Sequence, residues 1–334
     1  MKRVFKIMFL LVLCIFLVSS FSSFVFAQKT GPIIIKVALG ESPEHPEGKF
    51  AMKFKELVEE KTNGAVEVQP YFIGELGSQR DYIEGLRMGT LELSWVTIAF
   101  FSSYEPILNI FELPYLFKSR ELAFWMVNGP FKKMIQDRVE KHQVKLLGFF
   151  EAGYRHVTNS VRPIYTPEDL KGLKLRVPQS KANIDALNAM GASASPLSFE
   201  ELYLALQQGV FDGQENPYGD IYFNKFYEVQ KYLSNTGHIF MMHMVLYSEK
   251  LWNQLPKDIQ EKIEEAVQET AVYEINIVKG QEEVTLADAL REKGIKINDV
   301  DIAAFQEVVK PLYQEYIDEY GPEAEKVIST IKQF

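Results

Sequence analysis

Cysteine is all but missing: of 334 residues only Cys14 carries a thiol, and it sits inside an apolar N-terminal run. The rest of the chain can form no disulfide, no thiolate metal site and no thiol nucleophile. Leu13 is too large for a lipoprotein cleavage box, so lipidation of Cys14 is not expected. No second long apolar run follows, so nothing else in the chain is long enough to span a bilayer. Positive charge is in deficit, with 36 Lys and Arg against 45 Asp and Glu and a formal net charge of −9. Residues 1–27 hold three bases and no acid, so the chain without them carries −12. An acidic surface of this kind argues against nucleic acid or anionic lipid as a partner. An anionic small ligand must then be captured by locally placed cations. Catalytic motifs are missing as well: Gly153, Gly172 and Gly191 are isolated and make no phosphate loop, and there is neither a serine elbow nor a His-Glu-x-x-His. His238 and His243 stand on opposite faces of a predicted strand, which argues against shared metal ligation. No enzymatic activity, metal or cofactor is expected.

What is present begins with an export signal. Lys2, Arg3 and Lys6 precede an uncharged apolar run over 7–27 that ends in Val25-Phe26-Ala27 before Gln28. An uncleaved anchor is the rival reading, since about 20 apolar residues can cross a bilayer. Ser19, Ser20, Ser22, Ser23 and the small Ala27 favour cleavage. The expected product is periplasmic or otherwise extracytoplasmic, with no membrane insertion after cleavage. A hydrophobic content of 47% with 24% charged residues suits a globular chain, and the length suits two lobes.

Strands are predicted at 33–39, 65–72, 91–97 and 145–151. Between them lie helices at 48–61, at 119–128, at 131–141, and from Ser78, with Asp81 completing a capping box, to Gly89. That alternation predicts a largely parallel sheet with helices on both faces. The plan then repeats, with strands at 154–159 and 173–177 and a Thr166 N-cap before Pro167. Ser198 and Glu201 read as a capping box for a helix at 200–208 ended by Gly209, and a long strand at 237–247 returns to the first lobe. Residues 256–293 read as one long helical pattern able to run along both lobes. Asp301 caps a further helix with Phe305, Val308, Val309 and Tyr313 on one face, and 322–332 closes the chain. The expected organisation is a signal at 1–27, a first lobe at 28–152 with about 238–255, and a second lobe at 153–237 with part of the C-terminal helices. Residues 256–334 supply the lobe-spanning and C-terminal helices.

The stretch 165–217, YTPEDLKGLKLRVPQSKANIDALNAMGASASPLSFEELYLALQQGVFDGQENP, is the most informative. Its strand points Leu173, Leu175 and Val177 to one face and Lys174 and Arg176 to the other, and Pro178 stops the ladder. Arg176 therefore stands near the carboxyl end of a strand, where open α/β sheets place ligands. A guanidinium there can grip a carboxylate with two parallel hydrogen bonds, which an ammonium cannot reproduce. A solvated arginine, or one paired with Asp169 or Glu168, is the competing reading. Asn216 follows the turn-like Asp212-Gly213-Gln214-Glu215, and asparagine also occupies turns for backbone reasons alone. Arg155 could meet a ligand or make a cross-lobe salt bridge. On the first lobe the candidates are His45, Glu75, Gln79, Arg80, Arg87 and Trp95. Trp95 and Phe199 could stack on a ligand or belong to the core.

This wording resembles the solute-binding subunits of tripartite ATP-independent periplasmic (TRAP) transporters, the four-carbon-dicarboxylate-receptor type. There a "DLKG-L-K-RVP" pattern precedes "LSF-ELY-AL-GV-DGQENP", and 169–217 carries nearly all of it. The family phrase "LG-RE-E-GTLD" reads here LGSQRDYIEGLRMGTLEL. The resemblance covers essentially the chain after residue 27 and is most specific between Arg155 and His238. It implies an α/β, two-lobed, periplasmic-binding-protein-like fold of type II character, with crossing strands and a long lobe-spanning helix, closing on its ligand by hinge motion. It implies that Arg176, at the "RVP" position, clamps a ligand carboxylate and that Asn216, of "QENP", bonds the same group. Arg155 falls at the family's "G-R-N" stretch and His45 at its "HP", both near the ligand. Gly74-Glu75-Leu76-Gly77 resembles the "QLG" turn, with Glu75 replacing the usual polar residue. The implied partners are a small organic acid and the membrane permease subunits of a TRAP transporter. A dicarboxylate, a 2-oxo acid and a sugar acid stay open, with Glu75 and Arg87 leaning toward a hydroxylated acid. The alternatives are a sensory binding protein feeding a membrane kinase and a secreted hydrolase using Glu75 or Glu215 with His45.

Overall fold

The strands follow the β-branched and alternating segments of the sequence, but they divide into two mixed sheets. The computed structural model describes residues 31–281 and 285–334, with backbone alone over 274–281; the expected signal at 1–27 lies outside the described residues. In chain order the strands are β1 (Ile33–Ala38), β2 (Val66–Tyr71), β3 (Leu93–Thr97), β4 (Val144–Tyr154), β5 (His156–Asn159), β6 (Lys174–Val177), β7 (Ser193–Pro196), β8 (Gly213–Asn216), β9 (Tyr232–Asn235), β10 (Phe240–Ser248) and β11 (Lys296–Asp299). One sheet has the order β2-β1-β3-β10-β4 and the other β11-β9-β5-β8-β6-β7.

Parallel pairs join β1 to β3, β6 to β7 and β8, and β9 to β11. The expected largely parallel arrangement is broken by one strand in each sheet. β10 runs antiparallel to β3 and β4, and β5 runs antiparallel to β8 and β9. The cause is the route of the chain. β4 passes through Arg155 straight into β5, and β9 returns through residues 236–239 into β10, so two crossings join the sheets without an intervening helix.

Helices cover the sheets where the sequence spacing asks for it. Phe50 and Phe54 on the helix Pro46–Lys61 pack edge-on against Trp95, and Phe50 stacks on Phe150 with ring centroids 4.5 Å apart. The helix Gln79–Met88 opens on the Ser78–Asp81 capping box and ends at Gly89, whose φ of 76° suits a residue without Cβ. The helix expected from residue 200 starts later, as Leu202–Gln207, because Ser198 Oγ donates to the Glu201 carboxylate and not to the helix end as a cap. The pattern over 256–293 divides. Lys257–Gln281 lies against the helix Pro46–Lys61 and β4, while Leu286, Ala287 and Leu290 turn into a second core with Leu202, Ile221 and Phe226. The helix Ile302–Tyr320 is capped by Asp301, and its buried stripe is Phe305, Val309, Leu312 and Tyr316. Val308, expected on that stripe, is 37% exposed, because a 3.6-residue period carries it off the buried arc. Tyr313 donates to the Pro114 carbonyl at 2.6 Å and Tyr316 to Asp185 at 3.0 Å, so this helix is tied to one segment before the first crossing and to one between the two. Among the described residues no helix is long and apolar enough to cross a membrane.

Candidate functional site

β6 and β8 are parallel neighbours with Arg176 opposite Gln214, so Arg176 and Asn216 finish adjacent strands at the same end of the sheet. Asn216 is thus the last residue of a strand and not part of a turn; pairing with β5 and β6 overrides the Asp-Gly and Asn-Pro turn chemistry. Its Nδ2 donates to Gln214 Oε1 at 2.6 Å. Arg176 is 1% exposed. Its Nε and Nη2 donate to the Leu197 carbonyl at 2.9 and 2.6 Å, and its guanidinium lies 5.9 Å from the Phe199 ring centre. Among the described residues no acid reaches it. Burial, and then repulsion from Arg155, pushes its pKa down to about 9, so it remains a cation at neutral pH.

Arg155, on the crossing between β4 and β5, is in a different state. It is ion-paired with Glu215 of β8 through Nε, and Nη2 donates to Glu215 Oε1 at 2.9 Å and to its carbonyl at 2.7 Å. Burial alone would raise the Glu215 carboxyl, but Arg155 outweighs it and holds the group below the ordinary carboxylate range. Two buried arginines therefore share one cavity, and only one of them is neutralised.

The first sheet builds the facing wall. Gly40 and Glu41 follow the end of β1, Glu47 lies in the first turn of the helix Pro46–Lys61, and Trp95 and Thr97 come from β3. Gln79 lines the same cavity and accepts the Thr97 amide at 3.0 Å. β10 contributes Met241 and His243, and Asp220 enters from the helix Tyr218–Phe223. Burial pushes the Glu41 carboxyl up to about 7 and the Glu47 carboxyl well above its usual value. Burial above all pushes His243 down to about 3, so its ring is neutral. Trp95 Nε1 and His243 Nδ1 are buried with no hydrogen-bond partner among the described residues.

His45 sits just behind this wall, where it caps its own helix: Nδ1 accepts the Glu47 amide at 3.1 Å and Nε2 lies 3.1 Å from Asp220 Oδ1. Burial alone would lower the His45 pKa, but Glu41 and Asp220 outweigh it and push it up to about 9, which the hydrogen bond to its Nδ1 opposes. The fixed Glu47 amide decides, because only an unprotonated Nδ1 can accept it. Nε2 then carries the proton and donates to Asp220, which leaves no lone pair for a metal ion in the Glu41–His45–Asp220 triangle. The triangle is instead a link between segments of the two sheets, reinforced by Asn224 Nδ2 donating to Glu41 Oε2 at 2.8 Å.

Of the residues singled out in the sequence, Arg155, Arg176, Asn216, Gln79, Trp95 and Phe199 line one cavity, and His45 is one layer behind it. Glu75 is exposed on its own turn, with the Phe72 amide 3.4 Å from its carboxylate. Arg87 pairs with Glu84 on the same helix and lies over the Tyr104 ring. Neither lines the cavity, because local partners occupy both. Arg80 is exposed. Sequence reading missed Glu41, Glu47, Asp220 and His243. The position of Glu41 directly after β1 was the one usable signal; the others converge only in three dimensions. Water-sized spheres can be centred in about 30 Å³ of this cavity. A larger one of about 490 Å³ lies between Tyr115, Tyr154, His156, Tyr218 and Ile302, with Lys118 its one permanent cation. It is aromatic and open, and we place the site at the small cavity because charged and unpartnered polar groups converge there.

Against known proteins, residues 37–319 match the family described as bacterial extracellular solute-binding protein, family 7. A C4-dicarboxylate-binding periplasmic protein of Rhodobacter capsulatus is 32% identical over 300 residues, covering 87% of this chain and 89% of the relative. Among solved structures, the sugar acid binding protein of Advenella mimigardefordensis in complex with galactonate superposes with a TM-score of 0.87 at 30% identity, covering 91% of this chain and 99% of that one. A TRAP periplasmic solute binding protein of Sulfurospirillum deleyianum with bound succinate gives 0.86 at 29% identity, with coverages of 91% and 99%.

Proposed function

Because the chain belongs to family 7 of the bacterial extracellular solute-binding proteins, we propose that it captures a small organic acid between two lobes and delivers it to the membrane permease subunits of a TRAP-type transporter. The lobes are 28–152 with about 238–255, and 153–237 with part of the C-terminal helices; residues 1–27 direct export and are removed. Arg176 carries the reading: it is a fully buried cation at a strand end with no acid partner among the described residues. Leaving a buried charge unpaired typically costs several kcal/mol, so the site is built for an anion to arrive. A ligand carboxylate beside Arg176 would take up the donors that Leu197 does not use, with Asn216 at its side. Arg155, already neutralised by Glu215, orients and screens and does not add a second free charge. Trp95 and Phe199 border the ligand, His45 holds the wall from behind, and nothing in the site is asked to break a bond. Closure follows from differential contact, since groups of both lobes meet the ligand only when the lobes are together.

A thermal-shift panel on the mature, ligand-stripped protein tests this. A ligand at a hundred times its dissociation constant adds about 2.7 kcal/mol of stability. Carboxylic acids should raise the midpoint and neutral sugars should not. Arg176→Ala should abolish the effect, and Arg176→Lys should weaken binding by roughly 100-fold with the fold intact, because an ammonium cannot make the paired bonds. Stabilisation by neutral sugars that survives Arg176→Ala would sink the proposal.

A further inference from the structure

The cavity is electrically one-sided. On the second-sheet side the Arg155 charge is cancelled by Glu215, and Arg176 stands without an acid. The first-sheet side carries two carboxyls, Glu41 and Glu47, and no cation among the described residues that line it; His243 is neutral there. Asp220 adds a third acid, engaged with His45. The same wall holds two buried polar atoms without partners, the Trp95 Nε1 donor and His243 Nδ1. Unsatisfied buried groups are uncommon in a native fold, because leaving a buried donor or acceptor without a partner is destabilising.

Resting on the reading that Arg176 receives a carboxylate, we infer that the ligand is a polyhydroxylated monocarboxylic acid: one carboxylate on Arg176 and Asn216, and hydroxyl groups along the wall of Glu41, Glu47, Trp95 and His243. Three ligand classes can be compared on that wall. A second carboxylate is an acceptor with a full negative charge, and it would be buried on a wall that has no cation among its described residues to receive it, whether or not the carboxyls hold their protons. An ammonium would suit the acids but has nothing to offer the Trp95 N–H, which needs an acceptor. A hydroxyl both donates and accepts, so one class of group satisfies the indole N–H, the imidazole nitrogen and the carboxyls at once. The raised Glu41 and Glu47 pKa values support this, since a protonated carboxyl is itself a donor to a hydroxyl oxygen.

Calorimetric titration of the stripped mature protein with length-matched pairs decides the matter: succinate against erythronate, galactarate against galactonate, with serine and glutamate as amino-acid probes. The hydroxylated monocarboxylate of each pair should bind at least ~30-fold more tightly than its dicarboxylate, an unpaired buried charge being worth several kcal/mol. Trp95→Phe keeps the ring and removes the donor; it should weaken the hydroxy acid by about 5-fold, the range of one neutral hydrogen bond, and narrow its advantage over succinate. Succinate binding as tightly as erythronate, and lost in Arg176→Ala, would overturn this inference and leave the carboxylate receptor standing. Preference for an amino acid would do the same. Binding of no acid at all would overturn both.

Discussion

Two arginines that line one cavity show how position decides the work a residue can do. Arg155 meets Glu215 on the neighbouring strand and is spent within its own sheet, while Arg176 meets only a carbonyl. The carboxyl of Glu41 shows the same dependence through its proton. Burial holds its pKa at about 7 in the fold, against an ordinary 4.5. Between these two values the folded protein keeps a proton that the unfolded chain has lost, so stability from this group falls as pH rises through the window and is constant outside it. Glu112, raised to about 7 by burial, acts in the same direction, and His243, lowered to about 3, acts in the opposite one below pH 6.5. The raw pH curve therefore mixes signs, and the difference between wild type and Glu41→Gln removes the distant groups and leaves Glu41 with the neighbours it interacts with, Glu47 and His45. Chemical denaturation of the ligand-free proteins should show wild type losing up to about 3 kcal/mol relative to Glu41→Gln between pH 4.5 and 7, at 1.36 kcal/mol per unit. A level difference curve would mean that Glu41 stays ionised and that its wall is charged.

Elements were legible where local chemistry sets their ends. The Ser78–Asp81 box, the left-handed Gly89 and the Pro322 start need only neighbouring residues to be read. Arg176 was legible for a related reason, since alternation gives its face and Pro178 gives the strand end. β8 was not, because Asp-Gly and Asn-Pro favour turns locally and only two flanking strands overrule them. The acidic wall was illegible as a whole: Glu41, Glu47, Asp220 and His243 come from four elements, and nothing in their spacing announces that they meet. Packing of the helix Lys257–Gln281 on β4 is equally silent in the sequence. A Cβ at Gly148 would stand 3.0 Å from Val267 Cγ1, so the glycine sets how closely the helix approaches. Gly148→Ala should destabilise by about 1–3 kcal/mol through overpacking, and Val267→Ala by about 1–2 kcal/mol through a cavity. The double variant should lose clearly less than the sum, because the new methyl fills the space the valine leaves. Additive losses in urea denaturation would show that the contact relaxes freely and does not fix the helix.

At the level of the whole molecule the two sheets share one apolar core and are also bonded across the site. Three passages of the chain join them covalently, two direct ones and a helical one from β10 to β11, and across the cavity His45 meets Asp220 while Asn224 meets Glu41. Only about 30 Å³ is left between the walls, and a water takes roughly 10–15 Å³ of such space. Entry of the proposed acid therefore requires the walls to part and to close again around it. The cross-cavity bonds then belong to the closed arrangement alone and bias the equilibrium toward it. Removing one should lower the closed population, and apparent affinity falls in proportion to that population. Asn224→Ala is the cleanest probe, since Asn224 does not line the cavity and its loss leaves Arg176, Asn216 and Trp95 in place. A single hydrogen bond to a carboxyl is worth about 1 kcal/mol, so affinity should drop roughly 5-fold. X-ray scattering of the ligand-free variant should report a larger radius of gyration than wild type, and saturating ligand should bring the two together. The conjunction matters: weaker binding with unchanged scattering would place Asn224 in ligand contact, whereas a larger radius that persists with ligand would mean that the bond holds the fold and does not set the closing equilibrium.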